Sequence, residues 1–156
     1  MERHSLRVFL IGERLAAEGR RAVDREVLLC ASLLHDVGLY PAAASGDAYV
    51  RDSRRYAEEL LSSFGWAPER LRICLAAIEH HHRVGPQWHR GTELEILRRA
   101  DLVDGSGGVR AYGLRRGWLR GLFRAVPRSG LYRELGRQGL GVLLKRPRSL
   151  PDVFAP

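Results

Sequence analysis

Three features of the sequence predict an all-α protein. Apolar residues recur at three-and-four spacing through five successive segments. Glycine, proline or a capping side chain stands between those segments. No stretch alternates apolar and polar residues convincingly enough to read as a half-buried strand. The length of 156 residues suits one domain with its own core. Hydrophobic residues at 45% and charged residues at 28% are ordinary globular usage and argue against a mostly disordered chain. The lack of a sustained repeat excludes collagen-like and coiled-coil chains.

The first segment runs from about His4 to Glu18, with Leu6, Phe9, Leu10, Ile11 and Leu15 as a broad apolar face and Gly19 placed to end it. The second runs from about Asp24 to Val37. Asp24 is its N-cap, and Val27, Leu28, Ala31 and Leu34 form its stripe. A loop follows Gly38, from Leu39 to about Tyr49. The third segment runs from about Asp52 to Phe64, with Gly65 as its stop. Pro68 opens the fourth, which continues to about His82 with Leu71, Cys74, Leu75 and Ile78 inward. Arg83 to Gly91 is a loop turned by Gly85-Pro86. Thr92 and Glu95 read as a capping box opening the fifth segment, which reaches about Val103.

The chain divides at this point into a five-helix core, 1–104, and a basic helical extension, 105–156, packed on the same domain. Through Asp104 there are 15 Arg against 16 Asp and Glu, a net −1. From Gly105 onward 11 Arg and Lys face two acids, a net +9. A fragment over about Val109–Ala125 sets Trp118, Leu119, Leu122 and Phe123 opposite Arg115, Arg116, Arg120 and Arg124, though Gly113, Gly117 and Gly121 weaken it as a helix. A last helix is expected over about Ser129–Leu144. The tail's expected role is packing on the bundle or forming a homodimer face. Capping the pocket, or meeting a membrane surface or nucleic acid, are its lesser readings. No uncharged apolar run reaches the roughly 18 residues of a membrane span. The N-terminus lacks the pattern of a signal peptide. Cys30 and Cys74 read as reduced core thiols, so a cytoplasmic protein is expected.

The chemistry concentrates in His4, His35-Asp36, the run His80-His81-His82, and Asp101, each on a separate segment or at its end. Imidazole and carboxylate from facing helices are a common way to hold a metal ion. Asp36 ends an apolar helix, where a carboxylate needs a partner. The words HSLRVF at His4, ASLLHDVG at His35 and Asp36, AAIEHH at His81 and LRRADLVD at Asp101 resemble the HD superfamily in order, spacing and context. The likeness covers roughly residues 4–104. It implies a compact helical metal-binding bundle, most often a phosphohydrolase acting on a nucleotide or other small phosphorylated metabolite.

By position the resemblance implies His4, His35, Asp36 and Asp101 as ligands of a divalent ion (Mn, Fe, Co, Ni, Zn or Mg), with Asp104 as the fallback for Asp101. A metal-bound water would be the nucleophile, and Asp36 or Asp101 would take its proton. His81 matches the later family histidine and is expected in catalysis or phosphate binding, with His80 beside it. His89 reads as a loop residue. Arg54 and Arg55 stand where relatives place polar site groups, so they are candidate phosphate clamps. Between Asp36 and His80 there is no further His, which favours one ion over two. The word RVGPQW lacks the Gly-Tyr-Pro motif of the cyclic-dinucleotide subgroup, and Leu39 stands where some single-metal nucleotidases carry a catalytic Glu. Two alternatives to a phosphohydrolase are a hydratase on a small nitrile-like substrate and a non-catalytic nucleotide sensor.

Overall fold

In the computed structural model, which describes residues 2–128, helix α1 spans Glu2–Glu18. It turns Val8, Ile11 and Leu15 inward, with Gly12 letting α1 close on the methyls of Leu28 and Ile96. Helix α2, Arg25–Leu34, opens as its sequence predicts: the Asp24 carboxylate accepts the Glu26 and Val27 amides. It ends earlier than expected. His35 is its C-cap and Asp36 has left the helix.

A short 3-10 turn, Val37–Leu39, follows because α3, Tyr49–Ser63, crosses against it. A Cβ on Gly38 would collide with the Tyr49 carbonyl and stand 2.7 Å from the Ser53 nitrogen. The Gly38 amide instead donates to Ser53 Oγ at 2.8 Å. The glycine in the His-Asp-Val-Gly word is thus a close-approach residue that presses the end of α2 onto α3. Asp52, placed at the helix start by sequence, lies in its first turn and is buried. Its carboxylate accepts the Ser45 amide and hydroxyl and pins the preceding loop.

Helix α4 spans Pro68–His80 and α5 spans Thr92–Gly105. The capping box expected at Thr92 does not form. Gly91 is the N-cap, and Glu95 turns inward to accept the Gln87 amide at 2.7 Å and the guanidiniums of Arg98 and Arg99. A buried carboxylate with three donors is better satisfied there than at a helix end that water reaches. Helix α6 is shorter than the fragment expected, Arg116–Ala125, because Tyr112 and Gly113 both take positive φ and break the chain before it. Its Leu119 is buried, while Arg116, Arg120 and Arg124 are exposed. The expected helix over Ser129–Leu144 lies outside the described residues.

Helix α1 packs against α5 and α2, and α3 against α4, which also meets α2 and α5. One core joins Val8, Ile11, Leu28, Ile78, Leu97 and Ala100, and Leu119 of α6 belongs to it. Cys74 is buried and Cys30 half-buried, both as free thiols. Among the described residues there is no strand, and no helix is long and apolar enough to cross a membrane. The consequence for function is geometric: the start of α1, the ends of α2 and α4, and the second half of α5 converge.

Candidate metal centre

At that convergence stand His4 from α1, His35 and Asp36 from the end of α2, Asp101 from α5, and His81 and His82 from the end of α4. Each buried imidazole has its outer nitrogen committed. His4 Nδ1 donates to Asp104 Oδ2 at 2.7 Å, His35 Nδ1 to the Ser32 carbonyl at 2.9 Å, and His81 Nδ1 to the Ile78 carbonyl at 2.6 Å. Carbonyls and carboxylates only accept, so these nitrogens carry the protons. In the neutral rings every Nε2 is then a bare lone pair pointing inward.

His4 Nε2 and His35 Nε2 face each other at 3.2 Å. Asp101 Oδ1 stands 3.3 Å from His4 Nε2 and 3.9 Å from His35 Nε2. Asp36 Oδ2 stands 3.3 Å from His35 Nε2 and 3.6 Å from His4 Nε2. Four acceptors converging this closely repel unless a cation lies among them. Neighbouring ligands on an ion with bonds of ~2.1 Å are about 3.0–3.4 Å apart in octahedral or tetrahedral arrangements. The donor set therefore fits a divalent ion in chemistry and in spacing. Two further groups of the same kind are His35, Asp36 and His81, and His81, His82 and Asp101. In them the outer oxygens face the later histidines, Asp36 Oδ1 at 3.8 Å from His81 Nε2 and Asp101 Oδ2 at 3.8 Å from His82 Nδ1. His81 Nε2 is buried without a hydrogen-bond partner.

The titration of these groups says the same. Burial alone lowers the His4 pKa, but hydrogen bonds to Asp101 and Asp104 and the field of Asp36 overcome it and raise it from 6.5 to about 10. Burial likewise opposes the charge on His35, and Asp36 reverses it. Burial raises the Asp36 and Asp101 carboxyls, yet the surrounding imidazoles hold both below the ordinary range. The acidic pair thus demands positive charge at this point. His81 differs: burial, with His82 and His35 close by, pushes it down to about 3, so its Nε2 remains a free base.

Two supporting groups were not legible beforehand. Asp104, considered only as a fallback ligand, instead braces His4 from behind. Arg7 closes on it from Nε at 2.7 Å and Nη2 at 2.9 Å. The free arm of Arg7 reaches the Pro127 carbonyl at 3.0 Å, and Arg128 caps the Asp104 carbonyl. An i, i+3 Asp-x-x-Asp on α5 with an Arg three residues after His4 was the available signal. Tyr49 packs edge-on against His81 and His82, and burial keeps its hydroxyl protonated.

Other expected residues fall elsewhere. His80 is half-buried and belongs to none of the donor groups, whereas His82 does. The helix ends at His80 with His81 as its C-cap, and His81 and His82 both offer ring nitrogens to the cluster. His89 is exposed in the Trp88–Arg90 turn. Arg54 is held by Glu58 at 3.1 Å and Glu79 at 3.0 Å, and Arg55 by Glu59 and the Ala43 carbonyl. A cavity of about 330 Å³ opens over the cluster, and its lining includes His81, His82 and Asp101 together with Arg83, Arg98 and Arg110. Arg54 and Arg55 are not in its wall.

A helical bundle that gathers two imidazoles and two carboxylates from separate helices around one point defines a metal-binding domain of the His-Asp type. The family model of the HD domain matches residues 1–106, and the chain belongs to that family. HD domains bind divalent metals and are in general metal-dependent hydrolases, the phosphohydrolases prominent among them. No curated protein and no solved structure gave a match to this chain.

Proposed function

We propose that this chain is a metal-dependent phosphohydrolase of small phosphorylated metabolites, nucleotides included, with one divalent ion held by His4, His35, Asp36 and Asp101. The observation that carries the reading is the cavity over Asp101 and the two histidines, whose lining also includes Arg83, Arg110 and Arg98, the last paired with Glu95. An exposed guanidinium such as Arg110 in the lining of a metal site suits an anionic ligand better than a neutral one. That charge favours a phosphate ester over an uncharged nitrile-like substrate.

A divalent ion supplies Lewis acidity toward the phosphoryl oxygen and lowers the pKa of water. The chain's own residues do the rest. Arg110 is exposed on the cavity rim and suits the far end of the substrate. Asp101 Oδ2, turned away from His4 toward His82, accepts the proton of the attacking water. His81 Nε2, a free base under the cavity floor, orients that water through a hydrogen bond. Asp104 holds His4 in the tautomer that presents Nε2. Free cysteines suit a reducing compartment, and the cytoplasm is the setting we propose.

The test is phosphate release from a panel of nucleotides and sugar phosphates with manganese added, using wild type, Asp36→Ala and Arg110→Gln. The reading predicts turnover in wild type, none in Asp36→Ala, and an elevated KM with kcat retained in Arg110→Gln. Manganese binding with nucleotide binding but no turnover on any substrate would favour a sensor instead.

A further inference from the structure

A second cavity, of about 370 Å³, lies between the C-terminal end of α1, the Trp88 turn and the Tyr112–Gly113 loop, and shares no lining residue with the one over the histidines. Its wall is unusual in how its cations are held. The Arg21 guanidinium lies 4.6 Å from the Trp88 ring, and Arg99 lies 4.7 Å from both Trp88 and Tyr112. A ring orients a guanidinium without neutralising it.

The carboxylates nearby do not supply the missing charge. Glu18 is bound to Arg14 at 2.7 Å. Glu95 is buried and serves Arg98 and Arg99 together, one negative charge between two positive. Arg99 gives Glu95 only its Nε, so its terminal nitrogens remain available. Among the described residues no carboxylate lies within ion-pair distance of Arg21. The loop that completes the wall holds Tyr112 at φ 46° and Gly113 at φ 92°, a conformation a tyrosine rarely adopts. It brings the Tyr112 ring over Arg99 and so fixes that fork.

We propose that this cavity is a second anion site, which binds a small phosphorylated compound on the forks of Arg21 and Arg99. Phosphate is the class that matches an Arg21 guanidinium held by a ring alone and an Arg99 fork that shares its one carboxylate with Arg98. The site stands apart from the metal cluster, so it does not depend on the catalytic reading. Glu95 joins its Arg99 to Arg98, which lines the cavity over the histidines, so occupancy here bears on the wall of the other cavity.

The test is a titration of the full, metal-free chain with inorganic pyrophosphate, following the Trp88 indole N–H by NMR. The expected result is a saturable shift. Arg21→Gln should weaken it by about tenfold or more. Arg99→Lys, which keeps the charge beside Glu95 and loses the fork, should also weaken it. Arg110→Gln should leave it within about twofold, because that residue lines the other cavity. An unmoved Trp88 resonance at millimolar pyrophosphate would overturn the proposal. So would wild-type affinity in both Arg21→Gln and Arg99→Lys.

Discussion

Asp101 and Asp104 stand one turn apart on α5, and each touches His4, yet they sit in opposite electrostatic situations. Asp104 meets Arg7 fork to carboxylate, takes the His4 Nδ1 proton, and has Arg128 at 3.7 Å. Its charge is fully matched by the protein. Asp101 meets only imidazoles, His4 at 3.3 Å, His35 at 3.9 Å and His82 at 3.8 Å. In the metal-free chain a second proton on His4 offsets part of this charge, and Asp36 adds a second carboxylate beside it with no arginine of its own. A buried acid with its own arginine is a brace. Buried acids left with lone pairs for neighbours form a place for a cation.

The comparison breaks most visibly at the ligands. Asp101→Asn or Asp36→Ala should remove phosphate release down to background while the metal-free chain still folds cooperatively, measured by circular dichroism. Loss of cooperative folding in either would mean the acid is a brace after all. Next in size is Asp104→Asn. It strands Arg7, only 1% exposed, and should cost about 3 kcal/mol in chemical denaturation. The same variant loosens His4 and should weaken metal binding by about 10–100-fold.

A smaller effect comes from pH. The His4 pKa is raised in the folded, metal-free chain, from 6.5 to about 10. Its stabilising proton is therefore fully present below 6.5 and lost as pH rises toward 10. A metal ion must displace that proton, so its affinity should climb over the same window. Calorimetry in buffers of different ionisation heat would detect the proton released; none released would show that His4 is not displaced. The smallest effects are on the arginines. Arg110→Gln should raise KM by about tenfold, and Arg54→Gln, tied to Glu58 and Glu79, by less than about twofold.

Sequence reading reached the helical class, the Asp24 cap and the separate segments whose His and Asp side chains converge, because these rest on local periodicity and on residue types at separate helix ends. It could not reach partners set by packing. The Arg7–Asp104 brace spans 97 positions and depends on how α1 lies against α5. Arg54 and Arg55 occupy the anticipated helix, but carboxylates on α3 and α4 claim Arg54 and a loop carbonyl claims Arg55. The cavity arginines come from the loop after α4, from α5 and from the turn before α6, three places no single motif connects. His82 rather than His80 belongs to the cluster, at a helix end whose boundary periodicity does not fix.

The most direct measurement is manganese binding by calorimetry to wild type, Asp101→Asn and Asp104→Asn at one pH. The account predicts one tight site in wild type, none in Asp101→Asn, and a weakened site in Asp104→Asn. Undiminished binding by Asp101→Asn would contradict it, because the unmatched carboxylate would then not be what holds the ion.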